Sequence, residues 1–387
     1  MKIAMVFDGL GTGGIEKVGI DYVNLLQKLG HEVTIYNLQP KLNEMIERYP
    51  KNCKIIEQKI PTWMLPDQYI LGVKRWRWGK YIYPFAYFIA KISLNIFKMF
   101  CGKRKEYDIG IAFSGHFRDL NFVTENFIKS KRKMCWLHGS LNDYLILAPT
   151  FADQYRKIKN LCVLSTENQV ATINANNYLA NLNIHKIYNP INSELHINQE
   201  HINEIQREYG KIILSVGRFD RDKDQKTIIR SCYLLKHEYN LDCKMIFLGD
   251  GPLLKECKDL AEKLGMENNC IFLGTRSDVM DYYIAASIFV HSSPAEGLPT
   301  VILEALLCGT PVVATRSLPG VEEILRGNQY GLQCEVGNEK DMAEKIFQLI
   351  QNESLQHDYI EKGYERVKSF SYETIQTQLK VILEQLI

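Results

Sequence analysis

The sequence predicts an α/β protein made of two doubly wound domains, and three observations carry that prediction. Short apolar runs alternate with amphipathic helical segments along the whole chain, the pattern of βαβ units. The runs fall into two series separated by an Asn-rich, polar stretch from about Asn174 to Glu204, the one credible linker. Finally, 387 residues exceed a single core, and 46% apolar residues suffice to fill two.

Each strand has a local reason. Lys2 to Phe7, Val33 to Tyr36, Ile109 to Phe113 and Lys133 to Leu137 are near-continuous apolar runs, as strands buried on both faces must be. Ile212 to Val216, Met245 to Leu248, Cys270 to Leu273, Ile288 to His291 and Pro311 to Thr315 form the second series. Right-handed crossovers then give two parallel sheets. Ligands of such sheets bind beyond the carboxyl ends of the strands, so the cleft between the domains is the expected site.

Composition excludes several functions. A net charge of +2 offers no electrostatic case for nucleic acid. The ten cysteines are scattered singly from Cys53 to Cys334 with no C-x-x-C pair, which reads as reduced cytosolic thiols and not as a disulfide framework or zinc site. No signal peptide and no run of about 20 apolar residues is present, so no segment is expected to span a membrane.

Two carboxylates eight positions apart carry the most chemistry. In Glu296-Gly-Leu-Pro-Thr-Val-Ile-Leu-Glu304 the first precedes a helix and the second lies inside it, with Gly309 closing the helix. Glu304 is thus an acid on an apolar helix, and a buried carboxylate needs a partner or a task. Around Leu298, Pro299 and Thr300 the helix start offers free N–H groups and a positive dipole end to an anion such as a diphosphate. Acids flanking an anion site suit a ligand with phosphates in the middle and hydroxyls at both ends, the layout of a nucleotide sugar.

Further motifs fit that ligand. Gly217-Arg218, with Lys223 close behind, follows the strand at Ile212 to Val216, and fixed cations there would neutralise a leaving diphosphate. The alternative is a solvated loop, since Phe219-Asp-Arg-Asp-Lys-Asp-Gln225 mixes charges. Asp220-Arg-Asp222 reads as loop polarity, lacking the oxygen-rich cage of a divalent ion. At the N-terminus Gly9-Leu-Gly-Thr-Gly-Gly14 satisfies G-x-G-x-x-G, the dinucleotide fingerprint, but the second strand, Val33-Thr-Ile-Tyr-Asn-Leu38, lacks the ribose-binding acid. An NAD-dependent oxidoreductase is therefore the weaker alternative, and a tight turn without a ligand is the structural one.

The Glu-x7-Glu segment resembles the hallmark of the retaining glycosyltransferases of family 4. The likeness continues in Gly217-Arg218 with Lys223, in Gly249-Asp-Gly251-Pro, in Tyr188-Asn-Pro-Ile191, in Gly13-Gly14-Ile-Glu16 and in Trp136-Leu-His138-Gly139. It spans nearly the whole chain and is more specific in the C-terminal half. It implies a GT-B fold, two Rossmann-like domains facing a central cleft: residues 1–190 on the acceptor side, residues 191–371 binding the donor, and a final helix over 372–387 packing back toward the first domain. It implies transfer from a nucleoside diphosphate sugar, with uridine as the base, to a glycan or lipid-linked acceptor in bacterial cell-surface polysaccharide synthesis.

The resemblance also distributes roles. Glu304 would bind the nucleotide ribose and Glu296 the donor sugar hydroxyls. Arg218, Lys223 and the backbone from Gly297 through Leu298 and Pro299 to Thr300 would hold the diphosphate. Gly13, Gly14, Gly217 and Gly251 would admit the donor. His138, at a strand end before Gly139, would hydrogen-bond the transferred sugar near its reacting carbon, the alternative being a satisfied core histidine. Glu16, His116 and Arg118 would face the acceptor or simply be loop polarity. No protein nucleophile is evident, which implies a front-face displacement with the donor phosphate taking the acceptor proton, and neither cofactor nor metal is expected. A catalytically silent partner subunit would keep the fold, but all four of Glu296, Glu304, Arg218 and Lys223 are present.

Residues 74–105 carry a separate signal. Lys74, Arg75, Arg77 and Lys80 precede an aromatic-rich helical stretch, Lys103-Arg-Lys105 follow it, and Lys91, Asn95 and Lys98 make one polar stripe within it. Lys129-Ser-Lys-Arg-Lys133 adds charge to the same domain. This pattern predicts an interfacial helix on an anionic membrane and a peripheral place at the cytoplasmic face of the inner membrane, against the alternative of a core helix with solvated lysines.

Overall fold

The computed structural model describes residues 1–61, 78–100, 105–141, 144–145, 150–174, 179 and 181–386. The chain divides into two compact units, the first formed by residues 1–190 and 375–387 and the second by residues 191–374.

The first unit holds a seven-stranded sheet: β1 (Lys2–Phe7), β2 (Glu32–Asn37), β3 (Lys54–Glu57), β4 (Glu106–Ala112), β5 (Lys129–Leu137), β6 (Asn160–Val163) and β7 (Asn183–Lys186), in the order β3-β2-β1-β4-β5-β6-β7. All neighbours are parallel. The order reverses direction between β1 and β4, so the loops after those two strands diverge and leave a crevice, the switch point of such sheets. Residues Ile3 to Phe7 are completely buried, as expected for a central strand covered on both faces. Phe7, Tyr22, Phe113 and Trp136 pack ring against ring around this centre. The final helix, Tyr372–Gln385, buries Ile375, Leu379 and Leu383, and the Leu386 carbonyl accepts from Arg132 Nε at 2.8 Å.

The second unit holds a six-stranded parallel sheet of β8 (Ile212–Val216), β9 (Lys244–Leu248), β10 (Cys270–Gly274), β11 (Ile288–His291), β13 (Val312–Thr315) and β15 (Leu332–Cys334), ordered β10-β9-β8-β11-β13-β15. Its switch point lies between β8 and β11. A separate two-stranded ribbon pairs β12 (Ala295–Glu296) with β14 (Leu318–Pro319). At the start of the unit the Ile191 N–H donates to the Phe370 carbonyl at 2.8 Å, and Ile191 bridges Ser371.

One sequence expectation needs correction. The polar stretch from Asn174 to Glu204 is not one linker: it contains β7, which closes the first sheet, and the start of the helix Gln199–Tyr209. Its polarity reflects an edge strand and a solvated helix face. The basic run Lys129 to Lys133 is the outer half of β5, where Lys129 pairs with Glu106 at 3.0 Å and Lys131 with Asp108 at 2.8 Å, so much of its charge is locally balanced.

The helix Gly79–Phe100 turns two of its lysines inward. Lys91 and Lys98 reach Glu125 at 2.7 and 3.3 Å, joined there by Lys157 at 3.1 Å. Lys98 also contacts the Asn95 side chain, so both lysines of the polar stripe turn toward the body of the unit while Asn95 stays exposed beside them. The outward side is apolar: Tyr81, Phe85, Phe88, Ile92, Ile96 and Met99 are exposed, Phe85 at 68% and Met99 at 80%. The flanking Lys74, Arg75, Arg77, Lys103 and Arg104 lie outside the described residues. No described helix is long and apolar enough to cross a membrane.

Candidate functional site

Residues at the switch point of the second unit converge on Glu296. The loop after β8 carries Arg218 and Lys223, β11 ends at His291, and the ribbon strand β12 presents the acid itself. Lys223 Nζ lies 2.5 Å from Glu296 Oε1, and His291 Nε2 lies 3.2 Å from the same oxygen. Ser292 Oγ donates to the Lys223 carbonyl at 2.7 Å, tying the two loops together. Burial alone would raise the Glu296 pKa; the His291 hydrogen bond and the charges of His291 and Lys223 outweigh it and hold the carboxyl at about 2. Glu296 is therefore an ionised acid in a largely dry setting.

Close backbone approach builds this loop. A Cβ at Gly320 would stand 2.6 Å from the Gly297 carbonyl group and 2.8 Å from the Glu296 backbone carbonyl oxygen, so β12 can lie here only against a glycine. Gly251 has φ +156°, and a Cβ there would strike the Phe219 backbone, which lets the β9 loop press on the segment after Arg218. Gly251 thus shapes the Arg218 loop from behind. At Gly217 a Cβ would meet nothing within 4 Å, so packing alone does not demand glycine there.

Glu304 sits in the helix Thr300–Leu307, buried, and the Tyr283 hydroxyl donates to its Oε2 at 3.2 Å. Pro299 is the N-cap of that helix and offers no side-chain cap, which leaves first-turn N–H groups for another acceptor. Arg218 is 62% exposed and pairs with Asp220 at 3.2 Å, while Asp222 stands 3.5 Å from Lys223. The two aspartates are thus engaged by neighbouring cations. Among the described residues no group of three His, Cys, Asp or Glu side chains is placed to hold a metal ion.

A second polar cluster occupies the switch point of the first unit. Asp8, just beyond β1, receives Arg118 Nη1 at 3.0 Å and contacts His116 Nδ1 at 3.3 Å. Asp119 accepts from the Gly115 and His116 N–H groups, both at 2.8 Å, and burial pushes its pKa up to about 7. Burial also raises Glu16, whose carboxylate folds over Gly13 at the start of the helix Gly14–Lys28. Burial would lower the His116 pKa, but Asp8, Asp119 and Glu16 raise it overall. Gly14 faces open space. His138 Nε2–H donates to the Phe113 carbonyl at 2.7 Å; burial lowers its pKa to about 4, so it is a neutral imidazole with Nδ1 as its remaining acceptor. At the end of β2 the side chain of Asn37 is committed to the Leu42 carbonyl and the Gln39 N–H.

Sequence reasoning missed His291, Tyr283, Asp8 and Asp119. Asp8 follows a predicted strand and could have been marked by that position alone; the others offer no sequence signal beyond polarity among apolar neighbours.

With this geometry in hand, comparison with known proteins is informative. The structure superimposes over its full length on Anabaena HepE in complex with UDP, with a TM-score of 0.76, 19% identity and 100% of both chains covered. The fold is GT-B. Residues 197–366 match the family model of glycosyl transferases group 1. A Campylobacter jejuni protein named N-acetylgalactosamine-N,N'-diacetylbacillosaminyl-diphospho-undecaprenol 4-alpha-N-acetylgalactosaminyltransferase is 32% identical over 184 residues, covering 48% of this chain and 49% of that one. Bacillus anthracis N-acetyl-alpha-D-glucosaminyl L-malate synthase is 27% identical over 208 residues, covering 52% and 54%. The chain thus spans about half the length of these curated relatives. The matched GT-B segment contains all of the Arg218, Lys223, His291, Glu296 and Glu304 constellation.

Proposed function

We propose that the chain is a retaining, family 4 glycosyltransferase that moves a sugar from a uridine diphosphate sugar to a lipid-linked glycan during cell-surface polysaccharide synthesis. The observation that carries this reading is the ionised Glu296, held by Lys223 at a sheet switch point, four residues before an uncapped helix start. A carboxylate that stays charged accepts sugar hydroxyls, and bare N–H groups beside it accept phosphate oxygens. Glu304, braced by Tyr283, is assigned the nucleotide ribose, and Arg218 with Lys223 the diphosphate. Gly217, Gly251 and Gly297 to Thr300 form the backbone of that donor pocket.

The reaction breaks the bond between the anomeric carbon and the diphosphate oxygen and forms one to the acceptor oxygen. The acceptor proton passes to the departing phosphate. Neutral His138 is assigned a hydrogen bond to the transferred sugar through Nδ1, Gly13 and Gly14 the close approach of the donor, and Glu16, His116 and Arg118 the acceptor. Neither metal nor cofactor enters, because Arg218 and Lys223 supply the positive charge that the leaving group needs.

Support for the uridine donor comes from Anabaena HepE, whose structures hold UDP and UDP-glucose. The undecaprenol-linked acceptor in the name of the Campylobacter relative supports a lipid-linked acceptor. The exposed apolar side of the helix Gly79–Phe100 supports docking on an anionic monolayer at the cytoplasmic face. Its aromatic residues enter the lipid boundary, while the basic stretches that flank it in sequence complement acidic headgroups.

A thermal-shift panel of nucleotide sugars tests the donor assignment, since only a binder of the folded state raises stability. A rise with uridine diphosphate sugars, and none with NADH, is expected. A rise with NADH alone would replace the transferase by an oxidoreductase.

A further inference from the structure

We propose that His291 is the positioning residue that aims Glu296, holding one carboxylate oxygen so that the other faces a hydroxyl of the transferred sugar. The inference rests on the donor assignment above. His291 is the last residue of β11, only 5% exposed, and its Nε2 contacts Glu296 Oε1. Lys223 contacts the same oxygen, so both protein contacts fall on Oε1 and neither falls on Oε2.

The two partners differ in what they can fix. Lys223 carries its charge on a flexible stem, is partly exposed, and also stands near Asp222. Such a group can follow a phosphate without leaving its loop. The imidazole is rigid and buried at the end of a central strand, with no freedom to follow. A carboxylate held only by lysine would rotate about its terminal bond; one held by the strand-end imidazole keeps a single orientation. The contact to Oε1 requires an Nε2–H donor, so the ionised carboxylate keeps a proton on that nitrogen.

The same reasoning separates two functions within one site. The nucleotide is assigned to Glu304, Arg218, Lys223 and the helix start; Lys223 shares Glu296 Oε1 with His291 but reaches it through its own contact, which loss of the imidazole leaves in place. Loss of the imidazole should therefore weaken recognition of the sugar and spare the nucleotide.

Calorimetric titration of His291→Leu and His291→Gln with uridine diphosphate, and with the uridine diphosphate hexose that stabilises the wild type most, tests this. In the wild type the sugar nucleotide should bind more tightly than the bare nucleotide. His291→Leu should shrink that advantage by about ten-fold, the usual scale for one lost charge-assisted hydrogen bond, with bare nucleotide affinity unchanged. Gln, whose amide nitrogen stands near the place of Nε2, should recover most of it. An unchanged advantage in the Leu variant overturns the proposal, as does a parallel loss for both ligands or a Gln variant no better than Leu. Nitrogen NMR of His291 provides a readout independent of folding defects in the variants: its Nε2–H signal should shift in Glu296→Gln, and an unmoved signal would also overturn the proposal. A wild type that binds no nucleotide at all overturns the transferase reading itself, which the NMR result distinguishes from a failure at His291.

Discussion

Lys91 donates to Glu125 across 2.7 Å, although the two lie 34 positions apart in sequence. This pair turns the lysine side of the helix Gly79–Phe100 toward the protein and leaves its aromatic side outward. Membrane attachment should accordingly depend on the apolar face. Phe85, Phe88 and Ile92 changed together to Ser should lower vesicle binding by roughly two orders of magnitude, at about 1 kcal/mol for each half-inserted side chain. Sedimentation with vesicles containing anionic lipid measures it. Wild-type binding by the triple variant, or none by the wild type, would leave a protein that works on an acceptor in solution.

Glu125 gathers Lys91, Lys98 and Lys157 with only 14% of its side chain exposed. Burial would raise its pKa, but Lys91 first and then Lys157 hold it at about 2 against an ordinary 4.5. A carboxyl depressed by folding contributes stability above its unfolded value and loses it as pH falls through the folded one. The contribution should therefore be complete above about pH 4.5 and vanish toward pH 2, on the order of 2–3 kcal/mol. Glu125→Gln should lose that amount at pH 7 and little at pH 2. Urea denaturation at the two pH values checks the sign.

Much of this architecture was legible in the sequence. The central strands β1, β8 and β11 are apolar runs that burial on both faces dictates. The edge strands β3 and β7 were missed because Lys54-Ile-Ile-Glu57 and Asn183-Ile-His-Lys186 are short and polar at their ends. The Glu296 loop, the Arg218 loop and the buried helix with Glu304 fell where their spacing placed them. His291 did not stand out, since it closes the apolar run Ile288 to Val290 and looks like any core histidine. The stripe of Lys91, Asn95 and Lys98 announced an amphipathic helix, but periodicity cannot say which side faces outward when a buried acid 27 or 34 positions away attracts the lysines.

Lys223→Ala and Arg218→Ala should each lower turnover by about two to four orders of magnitude, as loss of a preorganised charge stabiliser does. Arg218 is exposed, so its removal should change stability by no more than about 0.5 kcal/mol. Steady-state kinetics alongside thermal unfolding separates the two effects. Full turnover in either variant would remove that cation from the diphosphate site.

Gly320→Ala should damage donor binding without touching a ligand. The added methyl collides with the Gly297 carbonyl group and must displace the Glu296 loop, an overpacking cost of about 1–3 kcal/mol. Nucleotide-sugar affinity should fall while the fold survives. Unaltered affinity would show that the loop yields elsewhere.

Activity should persist in excess chelator, because Asp220 and Asp222 are each engaged by a neighbouring cation. Complete loss that magnesium restores would contradict this.

The hydrogen bond between Ile191 and Phe370 has a practical corollary. The polypeptide enters and leaves the second unit through adjacent, mutually bonded segments, and residues 375–387 rejoin the first unit. In genetic terms residues 191–374 form a cassette whose two splice points sit side by side. Exchanging that cassette with the equivalent stretch of another GT-B chain would replace the whole Arg218 to Glu304 constellation in one piece. The helix Gly79–Phe100, with its outward aromatic face, would stay with the recipient. The Arg218 to Glu304 constellation and the outward aromatic face therefore lie in segments that can be exchanged independently within one gene.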